Sequence, residues 1–455
     1  MRAVAVATAI AVAATGLGPG AVTPAHAQRA GLPIIRDTEI EQLLRDYAQP
    51  ILKAAGLAKQ NVKVVVLNDR AFNAFVMDGR HIFINSGALF DAKTPNEVIG
   101  VFAHETGHLA GGHLLKLREQ LASAQTASIV ALLLGVGAAV AGSRAGSGGG
   151  EIGAAAILAP QSAIQRSLLA YVRTQEDQAD HAGVKLLNAT GQSSRGMVEL
   201  FKRLSSESLF NSRYIDPYLQ THPMPAQRVA SLETLAKASP YFDRKDSADL
   251  QARHDLMRAK LSGFLERPDT VARRYPLGDH SLAARYARAI SAYRHSDLRQ
   301  AIAQIDGLIQ TQPGNPYFYE LKGQALLEGG RATEAVAPLR HAAQLSRGAP
   351  LIQMMLGQAL IGTNNPKSAE EAVTLLRGAL LREPEAPEAY TQLAMAYGRK
   401  GDLAQADLAS AQAAFSRGDM MTARQLATRA KTRLPIGSPA WVQADDIVNL
   451  KPTRN

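Results

Sequence analysis

The chain has no cysteine among its 455 residues. That excludes thiol nucleophiles, disulfide frameworks and Cys-ligated zinc, so any metal site must be built from histidine and carboxylates. It also leaves the redox compartment unreported, because such a chain folds equally well in oxidising or reducing surroundings. Aromatic residues are scarce, at 5% with a single tryptophan. They do not interleave with a basic stripe, so no nucleic-acid module is read here. Acidic residues are outnumbered 40 to 50 by Lys and Arg, for a formal charge of +10. That surplus suits anionic lipid or an acidic partner, or is an ordinary solvated surface. Hydrophobic content of 46% with 20% charged residues marks a globular chain, and the length suggests two to three domains.

What is present is concentrated between Val98 and Leu117, VIGVFAHETGHLAGGHLLKL. Residues four apart on a helix share a face, so His104 and His108 can offer two imidazoles to one cation. Glu105 lies close enough to hold and deprotonate a water on the same ion. That is the HExxH arrangement of a zinc metallopeptidase. Thr94-Pro95-Asn96-Glu97 reads as a capping box with proline at the first helical position. His113 follows His104 by nine residues. On a continuous helix it faces the opposite side, so it is expected to support or pack rather than bind.

A second helix, Ser167 to Leu187, offers Glu176 as third ligand. Asp180, one turn on, can take the other ring N–H of a ligating histidine and fix its orientation. The competing reading is two solvated carboxylates. Prolines then hold a loop ahead of a helix from Ala226. His222 and Arg228 could reach the cleft from it. A cation there would stabilise an oxyanion. Neutral His222 could instead fill the fourth zinc position. A turn histidine and a helix arginine are the plain alternatives.

The remaining chain frames these helices. Residues 1–27 read as a secretory signal peptide: Arg2, an apolar run from Ala3 to Ala14, then Ala25-His26-Ala27 as the cleavage site. An uncleaved anchor is the alternative. Thr38 to Ala55 is an amphipathic helix with Thr38 and Glu41 as its capping box. Lys63 to Leu67, Ala74 to Met77 and His81 to Asn85 are strands, the last two joined at Asp78-Gly79, expected as a small antiparallel sheet. Asn73-Ala74-Phe75 is the candidate edge for pairing with an extended substrate, or part of a structural hairpin. Ala127 to Ala141, fifteen residues, is short for a membrane span. With the glycine tract to Gly150 and the segment Glu151 to Ala159, it reads as a lid or membrane-touching hairpin, or as a core helix and loop. From about Asp269 the chain becomes alanine-rich helical pairs. Ala289, Gly323, Gly357 and Ala394 recur at 34, 34 and 37 residues, and Ala301, Ala335, Ala372 and Ala406 follow them at 12, 12, 15 and 12. This is a tetratricopeptide pattern with a loop insertion at Asn364-Asn365-Pro366, repeats ending at Pro313 and Pro384, and a partial closing unit from Ala411 to Pro435.

Taken together, the HExxH helix, Glu176 with Asp180, Asn73-Ala74-Phe75, and His222-Pro223 with Arg228 resemble the HtpX, CAAX-protease-like group of zinc metallopeptidases. Lacking that group's several transmembrane helices, the chain resembles its soluble periplasmic, barrel-assembly-enhancing branch, which carries such repeats. The resemblance implies a mainly α protein: an α+β zincin (gluzincin) domain over 28–265, then an α-solenoid over 266–455. It implies one Zn2+ per chain on His104, His108 and Glu176, with His222 on the metal in a resting state. Glu105, His222, Arg228 and Asp180 would serve catalysis. It further implies a periplasmic endopeptidase at the outer membrane, with peripheral membrane contact, acting on outer-membrane β-barrel proteins and their assembly machinery. Two other readings stay open: a chaperone or scaffold whose zinc site is latent and whose repeats carry the function, and a membrane-embedded peptidase.

Overall fold

The computed structural model describes residues 32–123, 149–210, 218–219 and 222–450, with 149–167 and 207–210 as backbone only. The expected signal peptide and the apolar run Ala127 to Ala141 lie outside the described residues. The chain divides into two compact units, one over Pro33–Leu265 and one from Glu266 onward.

The first unit opens with β1 (Ile34–Ile35) and α1 (Thr38–Ala54). Asp37, in extended conformation, accepts from the Ile40 N–H, and Glu41 reaches back to the Asp37 N–H at 3.3 Å. The reciprocal cap therefore sits one residue before the expected Thr38 pairing. Ile40, Leu43, Leu44, Tyr47 and Ile51 form the buried stripe. β2 (Lys63–Leu67), β3 (Ala74–Val76) and β4 (His81–Asn85) complete a sheet of order β1-β2-β4-β3.

This sheet is mixed, where a wholly antiparallel one was expected. β3 and β4 form the antiparallel hairpin, with Gly79 at φ +73, but β4 pairs parallel to β2. The hairpin docks through its second strand because β4, HIFIN, is buried at every position. A strand covered on both faces belongs in the middle. Three-residue β3 is left as an edge.

After α2 (Ser86–Asp91) comes α3 (Pro95–Gly111), buried from Pro95 to Gly107. Thr94 is its N-cap residue and Pro95 is at its start, but the Thr94 side chain makes no capping bond. Glu97 instead accepts from the Lys93 N–H at 2.9 Å and pairs with Arg203 at 2.7 Å. α4 runs from Gly149 to Ala189, far beyond the expected 167–187, so Glu151 to Ala159 is helix. α5 (Arg195–Phe210), α6 (Ala226–Lys237) and α7 (Ala248–Leu265) close the unit.

The second unit begins with α8 (Pro268–Arg274) and stacks helices in pairs: α9 (Leu282–His295) with α10 (Leu298–Thr311), α11 (Pro316–Glu328) with α12 (Ala332–Leu345), α13 (Pro350–Gly362) with α14 (Pro366–Arg382), and α15 (Pro387–Arg399) with α16 (Leu403–Ser416). Gly323 seats Leu339, and Gly357 seats Leu376. The extra residues near Asn364 do not enlarge a loop. They extend α14 to 17 residues against 14 in α12, because Asn365 caps and Pro366 starts a helix one turn early. The closing pair is α17 (Met420–Lys431) with α18 (Pro439–Asn449); Ala411 belongs to the repeat before it. No helix among the described residues is long and apolar enough to cross a membrane.

Candidate metal centre and active site

Two helices make the site, and glycine lets them meet. A Cβ at Gly107 of α3 would lie 2.8 Å from the Ala179 carbonyl oxygen of α4, and one at Gly183 would lie 3.3 Å from the His104 nitrogen. With no side chain in the way, the backbones approach directly. The carboxylates on that stretch of α4 then face the histidines of α3.

The donor atoms converge. His104, His108, Glu176 and His222 each offer one atom, all within 4.8 Å of one another. His104 Nε2 is 3.0 Å from His108 Nε2 and 3.4 Å from Glu176 Oε2. His108 Nε2 is 3.4 Å from Glu176 Oε1, and His222 Nδ1 is 3.3 Å from His104 Nε2 and 3.0 Å from Glu176 Oε2. Tetrahedral ligands about 2.0–2.1 Å from a zinc ion sit roughly 3.3–3.4 Å apart, so the spacing fits such an ion. The proton arrangement fits too. Asp180 Oδ1 lies 2.9 Å from His104 Nδ1, which fixes a proton on that nitrogen and turns Nε2 toward the other donors. Without an ion the 3.0 Å contact between the two Nε2 atoms is a hydrogen bond from one imidazole to the other; a cation would replace the shared proton.

Burial and charge set the protonation of the cluster. Burial alone would lower the His104 pKa, but hydrogen bonding to Asp180 and Glu176 outweighs it and pushes it up to about 9. Burial, then the His104 charge, drives His108 down to about 2. Glu176 is held well below the usual carboxylate range: His222 and His104 overcome the opposing effect of its burial. Asp180 is lowered despite burial by its bonds to Arg228 and His104. Glu105 goes the other way, raised chiefly by burial. Its Oε1 has no hydrogen-bond partner among the described residues, and His222 Nε2 lies 3.6 Å away. One carboxyl is thus fixed as a charge and another is left able to carry a proton.

Arg228 stands elsewhere than the oxyanion reading placed it. Its Nε and Nη2 donate to the two Asp180 oxygens at 2.7 and 2.8 Å, and its Nη1 reaches Glu176 Oε2 at 3.0 Å and the Pro223 carbonyl at 2.9 Å. The guanidinium is consumed in holding both carboxylates and the His222 loop. His113 also departs from expectation. α3 stops at Gly111, Gly112 turns left-handed at φ +62, and the helix resumes over 113–123. The helix is therefore not continuous, and His113 Nδ1 comes to 2.9 Å from His108 Nδ1. Sequence reasoning missed Tyr218 and Phe201. The first is fully buried with its ring 4.5 Å from that of His222, and the second stands edge-on to His104 at 5.6 Å. The periodic apolar face of α5 was the only signal for Phe201; nothing singled out Tyr218.

Residues 35–236 match the model of Peptidase family M48, and residues 286–350 match a tetratricopeptide repeat. A beta-barrel assembly-enhancing protease of Yersinia pestis is 23% identical over 417 residues, which are 90% of this chain and 83% of that protein. The protein of the same name from Escherichia coli strain K12 is 22% identical, over 90% and 82%. The metalloprotease YcaL of that strain is 28% identical over 36% of this chain and 64% of its own length.

Proposed function

We propose that this chain, a peptidase family M48 metalloendopeptidase with a tetratricopeptide-repeat array behind its catalytic domain, uses zinc to cleave stalled or misassembled outer-membrane β-barrel proteins. The convergence of His104, His108 and Glu176 beside Glu105 carries this reading. Support for the substrate comes from likeness to barrel-assembly proteases over 90% of the chain, repeats included.

His104, His108 and Glu176 would hold one ion per chain. A zinc ion there supplies Lewis acidity, bringing the pKa of a water toward about 7 and polarising a peptide carbonyl. Glu105 accepts the water's proton at its unpartnered oxygen and, as a buried carboxyl of raised pKa, later hands it to the leaving amine. Asp180, clamped by Arg228, fixes the His104 ring. His222 closes the donor set at rest and leaves it to admit substrate. The edge of β3 pairs with the extended substrate backbone, and the repeats dock the substrate or the assembly machinery. The protein works in the periplasm at the outer membrane, with residues 1–27 removed on export.

The test is Glu105→Gln in the full chain, assayed on an unfolded barrel protein. Zinc content and fold should be unchanged while cleavage falls by about 10²–10⁴-fold. Undiminished cleavage refutes the assignment. The scaffold reading is favoured by one observation, His222 Nδ1 within the donor set. If the wild type and His222→Ala both bind zinc yet cleave nothing, that reading replaces ours.

A further inference from the structure

We infer that His113 is a positioning residue of the metal centre: its Nδ1 accepts the Nδ1–H of His108 and so holds the His108 ring with Nε2 toward Glu176. The inference rests on the metalloprotease reading above. His108 has two ring nitrogens. Nε2 faces His104 and Glu176, and Nδ1 meets His113 at 2.9 Å with the two rings at 83°. Were the proton to run the other way, from His113 to His108, the His108 proton would sit on Nε2 and point into the donor set. Only the direction from His108 to His113 leaves a lone pair for a cation.

The local chain is shaped for this contact. The left-handed turn at Gly112 breaks the helix just before His113. Gly111 leaves the space that the His113 ring fills; a Cβ there would collide with His113 Nε2. The Gln175 side chain of α4 donates to the His113 carbonyl at 3.3 Å, tying the turn to the helix that brings Glu176. His113 is 4% exposed, so little water competes for Nδ1. The two histidines of the motif thus receive different supports. His104 leans on Asp180, whose charge Arg228 balances. His108 leans on a neutral imidazole, which adds no charge to a centre that already holds Glu176.

The test is zinc affinity of the full chain, read by competition with a chromogenic chelator. His113→Leu should weaken zinc binding by about 10–100-fold, with the metal-free thermal transition confirming the fold. His113→Asn keeps an acceptor where Nδ1 was and should restore affinity to within about threefold of wild type. The inference is overturned if His113→Leu binds zinc as tightly as wild type, or if the Leu and Asn variants are equally weakened, which would make His113 a packing residue. Should His113→Leu fail to fold, His113→Asn against His113→Gln decides, since the Gln carbonyl overshoots the Nδ1 position. The Asn variant should then bind more tightly, and equal binding overturns the inference. A wild type that binds no zinc would instead sink the metalloprotease reading, and this inference with it.

Discussion

The two units bury different kinds of side chain. In Pro33–Leu265 the interior holds His104, Glu105, Glu176, Asp180, His254 and Lys260 among its apolar residues. In the second unit, the buried residues are chiefly alanines and leucines, such as Ala335, Ala359, Leu376 and Ala396, with Glu266, Ser291, Glu320 and Asp407 as polar exceptions. Burying charge costs stability unless each charge is paired. The first unit meets that condition for Glu176 and Asp180 with Arg228 and the histidines, and for Lys260 with Asp37 and Glu39; Glu105, with one oxygen unpartnered, is the exception. The second has little need to, because helix pairs that seat Leu339 on Gly323 hold by close packing alone. Chemistry is thus kept where charge is buried, and extent of surface where it is not.

That contrast should break first at the acids. Asp180→Leu takes two of the contacts of Arg228, whose side chain is 8% exposed, leaving it Glu176 and the Pro223 carbonyl, and should cost about 3 kcal/mol in chemical denaturation and weaken zinc binding. Asp407→Leu in the repeats removes a carboxylate paired with Arg429 and Arg433, both about half exposed. It should cost about 1 kcal/mol or less. Equal costs would mean that the units do not differ as described.

A second break is by pH. His254 takes the Tyr47 hydroxyl at Nδ1 and donates Nε2–H to the Ala92 carbonyl, so it is buried neutral, its pKa pushed down to about 4 chiefly by burial. Between 4 and the ordinary 6.5 the unfolded chain binds a proton that the native unit refuses. Stability from this residue is therefore full above about pH 6.5 and lost as pH falls to 4, about 3 kcal/mol in all. His254→Gln should flatten that limb of the stability curve. An unchanged slope would remove His254 as its source.

Gly107 and Gly323 sharpen the comparison at the smallest scale. A methyl at Gly107 meets the Ala179 backbone, whereas one at Gly323 meets the Leu339 side chain. Gly107→Ala should cost about 1–3 kcal/mol and weaken zinc binding by prising α4 from α3. Gly323→Ala should cost less, since Leu339 can change rotamer. A larger loss at Gly323 in thermal melts would reverse the reading.

Local pattern made much of this legible. The spacing of His104 and His108 placed them on one helical face, Glu176 and Asp180 stood one turn apart, Asp78-Gly79 marked the hairpin, and small residues at a 34-residue period marked the repeats. What stayed hidden depends on non-local choices. The apolar run within His81–Asn85 does not say which neighbour it pairs with or in which direction. The added turn of α14 looked like a loop because asparagine and proline serve both as turn formers and as helix starts. His113 was set aside on the assumption of an unbroken helix, although Gly111-Gly112 stood in the sequence as a signal to break it. The Arg228 clamp needed α6 laid against α4, which no spacing encodes.

The most direct test is anomalous diffraction at the zinc edge from crystals of the full chain grown with zinc. The expected result is a single strong peak about 2.0–2.2 Å from Nε2 of His104, Nε2 of His108 and a Glu176 carboxylate oxygen. A peak bound elsewhere, or one that leaves Glu176 out of reach of the histidine pair, would contradict the assignment of this centre.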